Sequence, residues 1–388
     1  MRKLFVCIAL GLTTLTGNAA SPLWMRDVQI SPDGTEIAFC YKGDIYKVSA
    51  GGGTAIQLTT QPSYECTPIW SPDSKQIAFA SDRNGNFDIF VMPATGGTAQ
   101  RLTTHSSSEL PSTFTPDGKY ILFSASIQDP SQSALFPTTA MTELYKVPVN
   151  GGRTEQVLGT PAEAVCYAPS GEFLLYQDRK GFEDEWRKHH TSSITRDIWL
   201  YDTKTGKHTN LTNHAGEDRN PVLSPDGKSV YLLSERKGSF NVYSFPLDNA
   251  QDLKAVTSFK THPVRFLSMS HGGTLCYAYD GEIYTQKDNA TPQKINIDIV
   301  RDDQDKIADL TFTNGATSGT VSPDGKQIAF IVRGEVFVTS TDYATTKQIT
   351  HTPAREAGLT FAPDNRTLAY ASERNGNWQL FLAKIARK

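Results

Sequence analysis

One four-residue phrase, Ser-Pro-Asp-Gly, recurs along this chain of 388 residues and constrains its fold more than any other feature. The phrase begins intact at Ser31, Ser224 and Ser322. Near copies begin at Ser71, Thr115, Ala168, Ser270 and Ala362. The intervals between the eight starts are 40, 44, 53, 56, 46, 52 and 40 residues. Recurrence at this period indicates a repeat architecture.

Each copy of the phrase is suited to a turn between two strands. Proline presets one backbone angle, aspartate bonds the backbone that follows it, and glycine accepts the left-handed conformation. The next segment alternates and is rich in β-branched and aromatic residues, as in Gln76-Ile-Ala-Phe-Ala80. A hairpin, a third strand such as Asp44 to Val48, a glycine turn and a fourth strand ending near Leu58-Thr59 complete the repeat. Four short antiparallel strands per repeat predict an all-β fold built from β-propeller blades.

The spacing between repeats predicts where one ring ends. The end of a fourth strand is usually 10 to 14 residues from the next turn, but the step from Ile295 to Ser322 takes 27 residues and contains a charged run. We therefore predict a six-bladed ring over residues 21–297, a linker over 298–312, and the first two blades of a second, incomplete propeller over 313–388. The alternative is one eight-bladed ring whose final strand comes from Pro22 to Met25, which leaves the surplus residues unexplained.

The amino-terminal residues have the pattern of a secretory signal. Met1-Arg2-Lys3 is basic, Leu4 to Leu12 is apolar but too short to span a bilayer, and small residues follow up to Ala20. We predict a signal peptide over residues 1–20, export to the periplasm and no membrane span. Removing Arg2 and Lys3 lowers the net charge from −3 to −5, which argues against nucleic acid as a partner.

Four cysteines follow the predicted signal, namely Cys40, Cys66, Cys166 and Cys276. Each lies in or beside a predicted strand, and none forms a Cys-x-x-Cys pair. We interpret them as small buried hydrophobic residues. Export would allow the alternative of a bridge, for instance between Cys40 and Cys66 of adjacent blades.

The longest insertion within a blade, Asp178 to Arg196, is the candidate ligand-binding segment. As a loop it must lie on a face of the propeller. Its basic and aromatic side chains are suited to dock a peptide carboxylate or to cover the channel mouth. The predicted peptide-binding residues are Arg179, Lys180, Trp186, Arg187, His189, His190 and Arg196. The alternative is a solvated loop that packs on a neighbouring blade.

The sequence lacks the usual motifs of covalent or metal chemistry. Gly-x-Ser-x-Gly, His-Glu-x-x-His and a phosphate loop are absent. Asp82, Asn84, Asn86 and Asp88 alternate as in a calcium loop, but the glycine is misplaced and no glutamate completes the loop, so a hairpin explains the stretch. We expect no cofactor, no metal and no catalytic residue. A propeller enzyme such as a polysaccharide lyase would need a metal cluster at the centre of the ring.

The repeats resemble those of a known family. The Ser-Pro-Asp-Gly turns, third strands such as Gly43-Asp-Ile-Tyr46 and the Gly-Gly turns are similar to the propeller repeats of TolB-like proteins and of tricorn-type serine peptidases. The order of signal, six blades, linker and further blades, together with the loop Gly181 to His190, resembles the tricorn arrangement. In that family a second, seven-bladed propeller, a helical segment, a PDZ domain and a catalytic core with a serine nucleophile and a histidine base follow. No position here matches that serine or histidine.

The resemblance implies the non-catalytic amino-terminal part of an exported tricorn-like serine peptidase, truncated before the catalytic domains. Such propellers are expected to gate or guide peptide substrates and products and to support assembly. The alternative is a stand-alone TolB-like periplasmic propeller that binds protein partners, although such a protein should have a separate domain before its blades, and only Ala20 to Arg26 precede the first blade here. The expected partners are peptides or proteins at a propeller face, and homo-oligomerisation is a further expectation.

Overall fold

The computed structural model describes residues 22–127, 141–182, 186, 191–287, 290–300 and 313–386, and the regular elements within them are all β-strands. The chain divides into two compact units, Met1–Arg301 and Asp302–Lys388. The predicted signal peptide and most of the predicted linker lie outside the described residues. In the described part of the chain, no helix is long and apolar enough to cross a membrane.

The first unit contains six four-stranded antiparallel sheets, which we number blades 1 to 6 in chain order. Within each blade the strands follow one another in sequence order. Blades 1 to 3 comprise β1 (Arg26–Ile30), β2 (Glu36–Tyr41), β3 (Asp44–Ser49) and β5 (Ile56–Gln57), with β4 (Gly53–Thr54) beside them; β6 (Glu65–Trp70), β7 (Gln76–Ser81), β8 (Asp88–Pro93) and β9 (Gln100–Arg101); and β10 (Leu110–Phe114), β11 (Tyr120–Ala125), β12 (Glu143–Pro148) and β13 (Glu155–Leu158). Blades 4 to 6 comprise β14 (Ala162–Tyr167), β15 (Phe173–Asp178), β16 (Ile198–Asp202) and β17 (His208–Asn210); β18 (Asp218–Leu223), β19 (Ser229–Ser234), β20 (Asn241–Pro246) and β21 (Lys254–Ala255); and β22 (Val264–Met269), β23 (Thr274–Tyr279), β24 (Glu282–Lys287) and β25 (Gln293–Lys294).

The repeated turn is held by its first side chain as well as by its proline, aspartate and glycine. In blade 1 the Ser31 hydroxyl donates to Asp33 Oδ1 (2.6 Å) and accepts from the backbone N–H of Glu36 (3.0 Å). The hydrogen bond from Ser31 holds the pKa of Asp33 below its ordinary value. Gly34 has a φ of +76°, as the predicted turn requires. The same pair of hydroxyl bonds recurs at Ser71, Thr115, Ser224 and Ser322.

Blade 1 packs against blade 6, and this contact closes the ring. β1 lies beside β22, and Val28 of blade 1 shares a buried core with Cys276 of blade 6. The chain after blade 6 continues as β26 (Ile297–Asp298), which pairs in parallel with β4. A backbone hydrogen bond joins the N–H of Met25 to the carbonyl of Gly281 across the same junction. The ring therefore has six blades, and the eight-bladed alternative is wrong.

Neighbouring blades pack through two unlike faces. The trailing face, toward the following blade, carries small and aliphatic side chains, such as Ala38 and Ile45 of blade 1. In blades 1, 2, 3 and 6 the leading face, toward the preceding blade, carries a cross-strand aromatic pair, such as Phe79 and Phe90 of blade 2, whose ring centroids are 5.9 Å apart. Stacked pairs also occur at Phe39–Tyr46, Phe123–Tyr145 and Tyr277–Tyr284. Such cross-strand pairs stabilise a sheet beyond simple burial of apolar area.

The four cysteines belong to these cores between blades and are unbridged. Cys40 and Cys276 are buried, and Cys66 and Cys166 pack at the margins of two clusters. Burial raises the pKa of the Cys166 thiol to about 11, so this thiol is not a reactive thiolate near neutral pH. This arrangement agrees with their interpretation as small hydrophobic residues.

The second unit contains two sheets. Blade 7 has four strands, β27 (Ala316–Val321), β28 (Gln327–Val332), β29 (Glu335–Ser340) and β30 (Thr346–Gln348). Blade 8 has three strands, β31 (Glu356–Phe361), β32 (Thr367–Ser372) and β33 (Gln379–Lys384). The two blades share a buried core of their own. The predicted fold class, a six-bladed ring followed by two further blades, is confirmed.

Candidate functional site

A cavity of about 660 Å³ lies at the centre of the six-bladed ring. The first strand of every blade contributes to its wall, so the cavity belongs to the ring as a whole. One wall residue comes from an equivalent region of each first strand. These residues are Asp27, Thr67, Ser112, Ala164, Asn220 and Phe266.

A β-bulge interrupts the pairing of each first strand with its second strand at this position. All of the six residues except Ser112 have a left-handed φ, between 46° and 58°. This conformation is costly for a residue with a side chain and is found preferentially at functional sites. A bulge bends its strand and re-aims the side chain, here into the cavity. The inward ring of side chains is therefore a product of the repeat.

Trp186, from the insertion in blade 4, lies among side chains of blades 1 and 6. The guanidinium of Arg26 lies 4.7 Å from the centre of its ring, and that of Arg265 lies 4.9 Å from it. Phe266 meets the indole edge-on, with ring centroids 6.0 Å apart. Cation–π contacts of this kind stabilise by about 0.5–2 kcal/mol each. Trp186 thus extends from blade 4 to the junction between blades 6 and 1. There it lines the cavity while remaining 47% exposed.

Arg179 and Glu163 form the charged part of the wall beside blade 4. Arg179 Nη1 donates to Glu163 Oε1 at 2.8 Å, and the side chain of Gln177 donates to Glu163 Oε2 at 3.4 Å. The Nε of Arg179 is buried and has no hydrogen-bond partner among the described residues. A buried donor without a partner is costly, and the Arg179 side chain as a whole remains 17% exposed at the cavity.

Arg196 and Lys180 lie beneath the cavity wall in ion pairs. Arg196 is 2% exposed and donates from Nη1 to Glu217 Oε1 at 2.6 Å. Burial opposes ionisation of Glu217, but hydrogen bonds from Arg219 and Arg196 prevail and hold its pKa below the ordinary value. Lys180 donates to Asp197 Oδ2 at 2.6 Å and to the carbonyl of Thr195.

The structure thus brings two of the sequence-predicted residues, Arg179 and Trp186, to the cavity. Lys180 and Arg196 instead tie the base of the insertion to the blades. Arg187, His189 and His190 lie outside the described residues.

The cavity combines hydroxyl groups, aromatic rings and a small excess of positive charge. Its charged lining residues are three arginines, Arg179, Arg219 and Arg265, and two carboxylates, Asp27 and Glu163. Serine hydroxyls from blade 3 and the connection before it form one side of the wall. No histidine lies among the described lining residues, and the described residues hold no group of three metal-ligating side chains. This chemistry suits binding of a polar, partly anionic chain.

Sequence reasoning missed the partners of Trp186 and the bulge residues. Arg26, Arg265 and Asn220 lie in first strands, which have no shared residue type at these places. A positional pattern does mark them, because the left-handed residue stands four positions before the repeated turn in five blades. Asp27 precedes Ser31 in this way. Register within the repeat, and not residue type, identifies the cavity wall.

Comparison with known proteins assigns the ring to a described domain. The family model of the tricorn protease N-terminal beta propeller domain matches residues 22–292. A tricorn protease homolog of Saccharolobus solfataricus is 27% identical over 52% of this chain and 18% of its own length. An uncharacterized protein of Agrobacterium fabrum is 31% identical over 48% of this chain and 61% of its own.

Among solved structures, that of the tricorn protease matches 95% of this chain with a TM-score of 0.61 and 19% identity. The match covers 36% of the tricorn protease chain. At this identity the likeness shows the fold alone. In every one of these alignments, this chain spans less than two thirds of the relative.

Proposed function

Because this chain belongs to the family of tricorn protease N-terminal beta propeller domains, we propose that its ring is a non-catalytic, peptide-binding part of an exported tricorn-like serine peptidase. The single observation that carries the proposal is the central cavity with Trp186 held between Arg26 and Arg265. In this role the ring receives peptide substrates or products and supports assembly of the peptidase. Hydrolysis itself belongs to other domains.

The wall chemistry supports a peptide as the ligand. An extended peptide offers carbonyl and N–H groups to the hydroxyls and amides of the wall, and its side chains meet Trp186 and Phe266. A terminal carboxylate would pair with the exposed part of the Arg179 guanidinium. Trp186 is well placed to contact a bound peptide, because it lines the cavity and is half exposed.

Peptide binding is tested by fluorescence anisotropy with short labelled peptides and the Trp186→Ala variant. We expect saturable binding that weakens roughly tenfold in the variant, about 1.4 kcal/mol, and weaker binding of peptides whose carboxyl terminus is amidated. Phe182→Ala is the matched control, because Phe182 lies in the same insertion, is 75% exposed and is not among the lining residues. Equal loss in the two variants, or no saturable binding, would contradict the proposal.

The absence of catalysis and the cellular location have separate tests. We propose export to the periplasm on the basis of the basic and apolar start of the chain. Periplasmic recovery of a protein whose first residue lies near Ser21 is the expected result, and recovery with Met1 retained would count against export. Peptide cleavage that co-purifies with the chain through successive columns would count against a non-catalytic role. Binding of a folded protein at a propeller face, without peptide binding, would favour the TolB-like alternative.

A further inference from the structure

The connection between β9 and β10 forms part of the cavity wall and is fastened to both neighbouring blades. Its lining residues are Ser106, Ser107, Ser108 and Leu110. Glu109 lies among them, but its own side chain is buried and does not line the cavity. The backbone N–H of Glu109 donates to the carbonyl of Phe87 in blade 2 at 2.8 Å, and the Ser107 hydroxyl donates to the carbonyl of Ser126 in blade 3 at 2.7 Å. The setting of Glu109 therefore bears directly on the shape of the wall.

In three other blades the equivalent residue is an acid that binds an arginine of its own blade. This acid stands six residues after the threonine that closes the preceding fourth strand, as Glu109 does after Thr103. It faces a serine at the end of the second strand, and the arginine stands two residues beyond that serine. The ion pairs are Glu65–Arg83 at 3.1 Å, Asp218–Arg236 at 2.7 Å and Glu356–Arg374 at 3.1 Å.

Blade 3 keeps the acid and lacks the arginine. The register of β10 with β11, continued by one residue, places Glu109 opposite Ala125, and Ile127 stands at the position of the arginine. Arg101 of β9 lies close enough to lower the pKa of Glu109, but it already pairs with Asp88 of β8 at 2.8 Å. Two buried carboxyls thus share the charge of one guanidinium. A buried carboxylate without its own counter-charge is costly.

The groups around Glu109 favour its neutral form. Burial raises its pKa to about 7, and the charge of Asp88 acts in the same direction. Hydrogen bonds from the Thr103 hydroxyl and the His105 backbone, together with the charge of Arg101, oppose this shift in part. Once charged, the carboxylate gains hydration only if the connection opens. Such local opening displaces the serines that line the cavity.

From this exception within the repeat we propose that Glu109 is a proton-dependent switch for peptide binding in the cavity. When its carboxyl is neutral, the connection stays closed and presents its serines to the ligand. When the carboxyl is charged, the connection opens toward solvent and peptide affinity falls. By linkage, a bound peptide favours the protonated carboxyl, and a rise in pH favours release. The inference rests on the peptide binding proposed above and adds its regulation.

The switch is tested by fluorescence anisotropy at pH 6 and pH 8. The labelled peptide is acetylated at its amino terminus and contains no histidine, so that it does not titrate in this interval. We expect roughly tenfold weaker binding at pH 8, because about a tenth of the molecules keep the proton there. Glu109→Gln should bind at both pH values as the wild type does at pH 6. Glu155→Gln, which alters a half-exposed carboxyl of blade 3, is the control and should keep the tenfold difference.

A second variant and a second measurement examine the cause of the pH dependence. Ile127→Arg supplies the arginine that blades 2, 5 and 8 have, and it should remove the pH dependence while Glu109 is kept. In hydrogen exchange of the free protein at pH 8, residues 104–110 should exchange faster in the wild type than in Glu109→Gln. Equal exchange, or a pH dependence retained in Ile127→Arg, would overturn the switch.

The outcomes separate this inference from the proposed function. Equal wild-type affinity at the two pH values would overturn the switch and leave peptide binding intact. A tenfold difference retained in Glu109→Gln would do the same and would assign the titration to another group, such as His105. Absence of saturable binding at both pH values would overturn the switch together with the proposed function.

Discussion

Glu109 shows how one buried carboxyl couples the stability of the ring to pH. It is 1% exposed in the connection between blades 2 and 3, and it accepts a hydrogen bond of 2.5 Å from the Thr103 hydroxyl. Burial raises its pKa from 4.5 to about 7, and the bond from Thr103 opposes this shift only in part. As the pH rises from about 4.5 to about 7, the unfolded chain releases this proton first. The free energy of unfolding therefore falls between about pH 4.5 and about pH 7. Above pH 7 the full cost of burying the charged Glu109 carboxylate is present.

Replacing this carboxyl by an amide should remove the pH-dependent cost. We expect Glu109→Gln to raise the free energy of unfolding near pH 8 by up to about 3 kcal/mol, with a gain that shrinks toward pH 5. Urea denaturation at the two pH values measures the difference. The control Glu155→Gln alters a half-exposed carboxyl of blade 3 and should have a small effect at both. The same gain for Glu109→Gln at both pH values would show that the raised pKa of Glu109 is not the source of the pH dependence.

Individual residues also mark the limit of prediction from sequence. Trp186 and Arg179 stood out in the sequence because an insertion rich in basic and aromatic residues breaks the repeat. Arg26 and Arg265, which hold Trp186, are more than 70 residues from it along the chain and belong to ordinary first strands. Their role depends on ring closure, because only closure brings blades 1 and 6 together.

At the level of the strand, a threonine ties the fourth strand to the third. The hydroxyl of Thr212 accepts the backbone N–H of Ile198 at 2.9 Å, at the start of β16. Equivalent bonds are made by Thr59, Thr103, Thr257 and Thr350. The sequence marks these positions as the close of the fourth strand, although β17 itself ends at Asn210. The threonine therefore extends the sheet by one bond beyond its last regular residue.

Removing that hydroxyl should leave a buried N–H without a partner. We expect Thr212→Val, which keeps the side-chain shape, to lower the free energy of unfolding by about 1–3 kcal/mol in urea denaturation. Thr209→Val is the control, since Thr209 is exposed on the same strand and should change stability little. Losses of similar size in the two variants would mean that the hydroxyl bond is not the cause.

The strands differ in how well their patterns predict them. Second and third strands were predictable because β-branched and aromatic residues alternate along them between two strong turn signals. The bulges of the first strands were not, since Asp27, Thr67, Ala164, Asn220 and Phe266 share a backbone conformation and no chemistry. A left-handed backbone at such residues is imposed by the surrounding sheet and has no local sequence cause.

At the scale of the whole ring, closure depends on a contact between the glycine turn of blade 1 and the chain that leaves blade 6. Gly53 N–H donates to the carbonyl of Asn296 at 2.9 Å, and β4 then pairs with β26. Gly52 has a φ of +91°, and a Cβ added there would lie 2.6 Å from the Asn296 oxygen. A side chain at this position cannot be accommodated unless the closing strands move apart.

Two alanine variants separate the contribution of ring closure to the free energy of unfolding from the backbone cost of replacing a glycine. Gly96 occupies the same place in blade 2 with a φ of +87°, and a Cβ there would meet only a Leu58 methyl at 3.6 Å. Gly52→Ala and Gly96→Ala therefore share a backbone cost of about 1–2 kcal/mol. We expect Gly52→Ala to lose roughly 1–3 kcal/mol more in urea denaturation and to be cut faster near residue 296 by limited proteolysis. Equal stability and equal cleavage would show that closure does not depend on this contact.

The sequence by itself determined the repeat and the order of its strands, and it favoured a division into six blades and two. Turn chemistry and alternation act over a few residues, and the count of residues between turns is local information. Only the tertiary structure decided that blade 1 meets blade 6, that the first strands aim a ring of side chains inward, and that Trp186 lies between two distant arginines. These features depend on contacts between residues far apart in sequence.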